Sequence, residues 1–435
     1  MPHLMLIAMS GVRIVNPELR ALGLTLPGFI ERGKVIASIP SLGLLTIAGA
    51  TPPHWTISYH EVDDMAELPQ VEADLVAISS LSARINDAYA LADAIRAQGI
   101  SVVIGGLHAS VLPDEVALHA DAVVVGQGEW VWPKLVADFG RGELARRYDG
   151  MHVTDDLATT PIPRFDLLDP AKYNRIPLQT TRGCPLDCAF CAASRLISPY
   201  KRKPIARIRQ ELEAILNIWP DPFIELADDN SFVNKKWARE LAQLLSEYPQ
   251  VKWFTESDIS LADNEELLSL LAKSGCAQVL IGLESVSPEA LAETDSGLWK
   301  RRQQPQYAEK VRRIQDHGIS VNGCFAFGFD SDTLGTFAAT REFIEECGLS
   351  EVQLTVLTPF PGTALHRQLR AEGRLLAETF WDQCTLFDVT FRPKNFTPSQ
   401  LEQEFHNMIE SVYSIEAADK RRAMRNSIFR KRLTG

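Results

Sequence analysis

The sequence predicts an α/β chain: an N-terminal doubly wound parallel sheet, then a partial (β/α)6 barrel, then a small α-rich C-terminal extension. Three observations predict it. Short apolar runs of strand length alternate with helical segments through most of the chain, which is the pattern of βαβ units. Small residues, Gly and Ser above all, follow the strand candidates of the first part, where parallel sheets place their ligand loops. The length of 435 residues suits two or three domains.

In chain order, residues 1–140 form the first domain. Its strands are expected at 4–8, 55–59, 74–79, 101–104 and 120–125, with helices at 42–50, about 85–97 and from 129 to about 139. Ligand loops at the carboxyl ends of these strands would be Ser10-Gly11, Ser79-Ser80-Leu81, Gly105-Gly106-Leu107-His108 and Gly126-Gln127-Gly128-Glu129. Their small residues let backbone come close to a large ligand. Residues 141–175, rich in Pro, Asp and Thr, read as a linker.

The barrel is expected over 176–376. Strand candidates are 178–181, 223–227, 252–255, 278–282, 320–327 and 351–357, separated by helices at 205–218, 235–247, 264–274, 306–317 and 334–347. Chemistry in such barrels sits on loops after the strands. Residues 377–435 lose this pattern and form the extension, with a helix from Pro398 to about Tyr413. The chain then ends in Lys420, Arg421, Arg422, Arg425, Arg430, Lys431 and Arg432. Such a tail could touch an anionic membrane surface, or be a solvated helix end.

The chemistry-bearing stretch follows the first barrel strand. Residues 180–194 read T-T-R-G-C-P-L-D-C-A-F-C-A-A-S, which puts Cys184, Cys188 and Cys191 within eight residues. Thiols so close cannot bridge one another without strain, but they can converge on a metal centre. Structural zinc and most Fe–S clusters use four protein ligands. Three thiolates leave one iron open to a small molecule. A zinc knot closed by a distant ligand, or three buried thiols, are the alternatives. Cys276, Cys324, Cys347 and Cys384 are scattered and read as buried small hydrophobes.

The C-x-x-x-C-x-x-C spacing, with Phe190 before the last cysteine, resembles the radical S-adenosylmethionine (SAM) superfamily. The resemblance implies a [4Fe–4S] cluster on Cys184, Cys188 and Cys191, whose open iron chelates SAM. It also implies SAM contacts from Asp228 and Asp229 after the second strand and from Glu256 and Ser257 after the third. Glu284 and Ser285, in G-L-E-S, would lie on the ribose side, and Gly323 and Gly328 near adenine. Each acid could instead be a helix cap or a first-turn charge.

The first domain resembles the cobalamin-binding domains that precede radical SAM barrels. G-G-L-H-A-S-V-L-P-D-E at 105–115 and D-A-V-V-V-G-Q-G-E at 121–129 carry this resemblance. It implies that Ser10, Gly11, Ser79, Ser80, Gly105, Gly106, His108, Gly126, Gly128 and Glu129 surround cobalamin. The D-x-H-x-x-G motif of the lower cobalt ligand is missing: no histidine occurs between His3 and His54. His108 reads as a hydrogen-bonding loop residue rather than a cobalt ligand. The alternative is a flavodoxin-like domain that only packs on the barrel. The extension resembles that of the group containing the hopanoid methylases.

Together these resemblances imply a radical SAM C-methyltransferase. A 5′-deoxyadenosyl radical would activate an unactivated carbon of a small-molecule or lipid substrate, and methylcobalamin would methylate it. An external donor such as flavodoxin or ferredoxin would supply electrons. A non-methylating radical rearrangement, cyclisation or oxidation is the alternative outcome, and a corrinoid- or metal-binding non-enzyme is the second.

Composition narrows the setting. Hydrophobic content of 46% and charged content of 23% are those of a globular protein. The net charge of −12 offers no general field for nucleic acid. Seven cysteines with three clustered do not form a secreted disulfide framework. The first residues lack the basic region of a signal peptide, and no apolar run is of bilayer-spanning length. The expected location is cytoplasmic.

Overall fold

The computed structural model describes residues 1–11, 14–21, 39–66, 70–151, 153, 157–193 and 196–434. The first sheet contains β1 (His3–Met9), β2 (Thr56–Val62), β3 (Leu75–Ser80), β4 (Ser101–Gly105), β5 (Ala122–Gly126) and β6 (Arg147–Gly150). Its order is β2-β1-β3-β4-β5-β6, with all five pairings parallel. β6 lies in the stretch read from sequence as the start of the linker. It is an edge strand with the alternating burial of R-Y-D-G, so it carries no apolar run to announce it.

Side-chain alternation explains the sheet. Leu4, Leu6 and Ala8 of β1 pack on one face with Trp132 and Leu135. Met5, Ile7 and Met9 pack on the other, with Ile85 and Ile95. Both faces are covered, which is why these strands read as continuous apolar runs. The second face belongs to the same apolar core as the barrel.

The second sheet begins at β7 (Ile176–Leu178). A short antiparallel hairpin, β8 (Thr181–Arg182) with β9 (Lys201–Arg202), stands apart from it. The sheet continues through β10 (Phe223–Leu226), β11 (Lys252–Ser257), β12 (Cys276–Glu284), β13 (Ser320–Phe327) and β14 (Glu351–Val356). The strands lie in chain order and are parallel throughout, so all carboxyl ends open on one side. The first barrel strand, expected to run to Thr181, therefore splits. The Asp228 carboxylate takes the Thr180 and Thr181 amides at 2.7 and 2.8 Å, and the chain turns out of the sheet there.

The described residues of the linker form 3-10 turns at Leu157–Thr159, Phe165–Leu167 and Pro170–Lys172. In the extension the expected helix is Pro398–Val412, closed by a Thr397/Gln400 capping box. A second helix, Ile415–Thr434, carries the basic tail. Its cations have protein partners: Lys420 pairs with Glu416, Arg422 with Asp419, Arg425 with Glu351 and Lys431 with Asp316. Arg421 packs over the Tyr413 ring. The side chain of Arg432 lies outside the described residues. Among the described residues, no helix is long and apolar enough to cross a membrane.

The segment before these helices clamps the extension to the first domain. Asp388 accepts the Val15 and Asn16 amides at 3.0 and 2.6 Å. Trp381 Nε1 donates to Glu115 at 3.0 Å. The Val356 amide at the end of β14 donates to the Leu386 carbonyl at 2.7 Å.

Candidate functional site: two cavities sharing one loop

A cavity of about 520 Å³ opens at the carboxyl ends of the barrel strands. Cys184, Cys188, Cys191 and Phe190 form one side of it. Asp229 follows β10, Glu256 and Ser257 close β11, and Glu284 closes β12; all line the same space. His108 and Leu81 of the first domain and Cys384 to Leu386 of the extension complete the wall.

The cysteine loop is held at defined points. Gly183 has φ +77, and a Cβ there would meet the Ser198 and Pro199 carbonyls at 2.7 Å, so only glycine fits this neck. Within the loop, the Ala189 amide donates to Thr294 at 2.8 Å, and the Ala189 carbonyl accepts from Leu365 at 2.9 Å. Burial pushes the Cys184 thiol up. It pushes Cys188 up to about 12, with nearby Lys300 opposing.

These thiols fit a cluster. They line a cavity large enough for one, and the Asn230 amide beside them donates to Cys184 Sγ at 3.9 Å. The Asn230 Oδ1 is buried without a protein partner, a feature of sites that await a ligand. Among the described residues, no group of three or more His, Cys, Asp or Glu is arranged around a single ion. A cluster takes each thiolate at a different iron and does not need that arrangement.

The acids divide. Asp228 does not line the cavity. Its carboxylate accepts the Thr180 hydroxyl, the Thr180 and Thr181 amides and the Ser231 hydroxyl. It anchors the stem of the cysteine loop instead of facing a ligand. Burial raises its pKa, and these hydrogen bonds oppose the rise. An Asp228→Asn variant trades one acceptor for a donor that faces buried donors. It is expected to cost about 1–3 kcal/mol, seen as a lower thermal midpoint of the metal-free protein together with lower iron uptake.

Glu256 faces the cavity, and its side chain is exposed to that space. Its carboxyl is pushed up to about 8 by the surrounding protein and by Glu225, Asp229, Glu284 and Asp228. Glu284 sits at φ +66, a costly conformation for a residue other than glycine. It is held by Lys300, whose Nζ donates to Glu284 Oε1 and to the Gly282 carbonyl, both at 2.7 Å. A Cβ on Gly282 would stand 2.3 Å from Glu284 Oε1, so the glycine of G-L-E-S makes room for this pair. Burial lowers the Lys300 ammonium, but Glu284, Cys188 and Tyr307 outweigh it and the net shift is upward. Lys300 is the site residue that sequence reasoning missed; W-K-R-R carries no motif that sets it apart from its neighbours.

Three other expected residues stand elsewhere. Ser285 is buried, and its hydroxyl accepts from the Ser287 amide. Gly323 packs under Leu349, 2.8 Å from where its Cβ would be. Gly328 lines a separate cavity of about 40 Å³ with Phe190. From β13 it is Cys324 that faces the larger cavity.

A second cavity, of about 230 Å³, lies at the carboxyl ends of β3, β4 and β5. Ser79, Gly105, Gly106, Gly126, Gly128 and Glu129 line it as the sequence suggested. Ser10, Gly11, Ser80 and His108 do not, and His108 lines the larger cavity instead. The crevice between β1 and β3, where strand order reverses, is occupied by Arg84, whose Nη1 donates to the Ser10 and Gly11 carbonyls at 2.8 and 3.1 Å. The ligand space is displaced towards β5. His108 is fully buried, with Nδ1 3.0 Å from Ser82 Oγ and Nε2 3.4 Å from Glu115. Burial lowers its pKa, with Glu115 opposing. Both ring nitrogens are engaged, which agrees with a hydrogen-bonding loop residue.

Comparison with known proteins places this arrangement. The model of the radical SAM superfamily matches residues 178–344, and that of the B12 binding domain matches residues 34–136. A bacteriochlorophyllide d C-12(1)-methyltransferase of Chlorobaculum tepidum is 29% identical over 401 residues, covering 90% of this chain and 86% of the relative. An uncharacterized methyltransferase of Synechocystis is 30% identical over 393 residues, covering 87% and 70%. The solved cobalamin-dependent SAM radical enzyme OxsB, with aqua-cobalamin bound, shares the fold at a TM-score of 0.72 and 13% identity, over 100% of this chain and 72% of that one. The chain belongs to the radical SAM superfamily, in the group that joins an N-terminal B12-binding domain to the radical SAM barrel. Its cofactors are accordingly a [4Fe–4S] cluster, SAM and cobalamin.

Proposed function

We propose that this chain methylates an unactivated carbon of a small molecule or lipid with an apolar face. The observation that carries this reading is one cavity that joins three thiols, ligand-facing carboxylates and an apolar wall, bordered by the B12-binding domain. The likeness to a bacteriochlorophyllide methyltransferase supports methyl transfer to a small-molecule substrate. When bound, the cluster with SAM supplies one-electron cleavage and hydrogen abstraction, and methylcobalamin supplies the methyl group.

The chain's own residues do the rest. Cys184, Cys188 and Cys191 hold the cluster. Asp229 and Glu256 would take the cationic end of SAM, and Glu284, fixed by Lys300, would take the ribose hydroxyls. Leu186, Phe360, Pro361 and Leu386 exclude water from the reacting carbon. Gly105, Gly106, Gly126 and Gly128 let the first domain's backbone approach cobalamin. An external one-electron donor such as flavodoxin or ferredoxin completes the system.

The test begins with anaerobically reconstituted protein given hydroxocobalamin, followed by visible and electron paramagnetic resonance spectra with iron and cobalt counts. One cluster and one tightly held cobalamin support the reading. Product mass then separates methylation, which adds one carbon and consumes two SAM molecules, from a non-methylating radical outcome.

Glu256 makes the SAM site pH-sensitive. The surrounding protein and the carboxylates beside it push its carboxyl up to about 8 in the empty site, so its protonated share grows as pH falls. A cation beside it favours the ionised form, so affinity rises as pH climbs towards 8. Lys300, paired with Glu284, keeps its charge over this range. The ratio of wild-type to Glu256→Gln affinity for SAM is expected to grow on the order of tenfold between about pH 6.5 and 8.5, by equilibrium titration. A flat ratio would remove Glu256 from the cation's surroundings.

A further inference from the structure

The cysteine loop walls both cavities. Cys184, Leu186, Cys188, Phe190, Cys191 and Leu196 of it line the larger one. Arg182 and Ile197 at its two ends, with Gln179 just before it, line the smaller one. One segment of chain is therefore exposed to the occupants of both.

Arg182 ties this segment to the first domain. Its Nη1 donates to Glu129 Oε1 at 2.6 Å and to Gln127 Oε1 at 3.0 Å. Nε and Nη2 both donate to Gln179 Oε1, at 3.2 and 2.9 Å. The Arg182 and Glu129 side chains are only 11% and 8% exposed. Gln127 and Glu129 belong to the loop after β5 whose glycines line the smaller cavity. Gly183 alone separates Arg182 from Cys184, and that glycine is wedged against the Ser198 and Pro199 carbonyls. On the barrel side, Asp228 pins Thr180 and Thr181. The stem of the cysteine loop is thus held from both sides, and a shielded ion pair is its tie to the smaller cavity. Such a pair is costly to leave half made, so a shift of the loop after β5 is passed to the stem rather than absorbed.

We propose that Arg182 is a positioning residue that couples the two cofactor sites: cobalamin in the first domain and a cluster on the cysteine loop each favour the other's binding. This rests on the assignment of cobalamin to the first domain. Linkage makes the effect reciprocal, the same factor applying to both ligands.

The test uses the full chain in two forms, with the cluster reconstituted and metal-free. Hydroxocobalamin is titrated into each and followed by its visible spectrum. Wild-type protein is expected to bind it about fivefold or more tightly with the cluster present, the lower end of measured couplings. In Glu129→Gln, which removes the charge from the tie, that ratio is expected to fall towards one at an unchanged iron count. Arg182→Lys keeps the charge but cannot span Glu129, Gln127 and Gln179 together, and the same fall is expected. Lost folding would weaken binding in both forms, so the ratio isolates coupling from stability. A wild-type ratio of one overturns the coupling, and so does a wild-type ratio retained in both variants. Absence of corrinoid binding in both forms overturns the cobalamin assignment and the coupling with it, a result distinct from bound corrinoid with a ratio of one.

Discussion

Cys184→Ala, Cys188→Ala and Cys191→Ala will each lose the cluster and all SAM cleavage, with the fold retained. The expected readouts are an iron count near zero after reconstitution and no 5′-deoxyadenosine under dithionite. Each thiolate would serve a separate iron, and no fourth cysteine lies in the loop to replace it. Cys324 and Cys384 also face the cavity, but from β13 and from the extension. In the metal-free protein, burial holds Cys188 at about 12. Cluster assembly must therefore release that proton, and iron uptake will slow as pH falls. A variant that keeps both iron and cleavage would remove its cysteine from the ligand set.

Lys300→Met carries the second largest effect. It leaves Glu284 enclosed, at φ +66, with its cationic partner gone. Removing one member of a buried pair costs about 3–5 kcal/mol, and the strained turn loses the bond to the Gly282 carbonyl as well. Expected results are a lower thermal midpoint and SAM cleavage reduced on the order of 100-fold or more at a normal iron count. Adding Glu284→Gln removes the stranded charge. The double variant should melt above Lys300→Met while remaining inactive. Equal midpoints for the two would mean that the stranded Glu284 charge costs nothing, and wild-type cleavage in Lys300→Met would dismiss the pair from the site.

Much of this was legible in the sequence because it is local. Strand candidates in the first domain agree with the folded strands to within a few residues: burial on both faces makes each a solid apolar run, and Ile7 or Val103 reports its own environment. The exception, β6, is an edge strand whose R-Y-D-G has no such run. The cysteine spacing was equally legible, since three thiols on one short loop need no knowledge of the rest of the chain. The glycines after β4 and β5 announced the smaller cavity for the same reason.

The division of labour among polar residues was not legible. Asp228 and Asp229 are neighbours in sequence, yet one anchors Thr180 across 48 residues while the other faces the cavity. Nothing local separates them; burial and the direction of each side chain do. Ser10 and Gly11 looked like a ligand loop until Arg84 arrived from 74 residues away to take their carbonyls.

The sequence alone carried the three-cysteine spacing, most of the strands and helices, and most of the loops that line the two cavities. These follow from periodicity and spacing, which a chain carries before it folds. Only the tertiary structure decided which charges are paired and which are presented. Glu284 with Lys300, across 16 residues, and Glu129 with Arg182, across 53, are pairs made by packing. The energy of a charge depends on what surrounds it, and a linear sequence does not state what surrounds a residue.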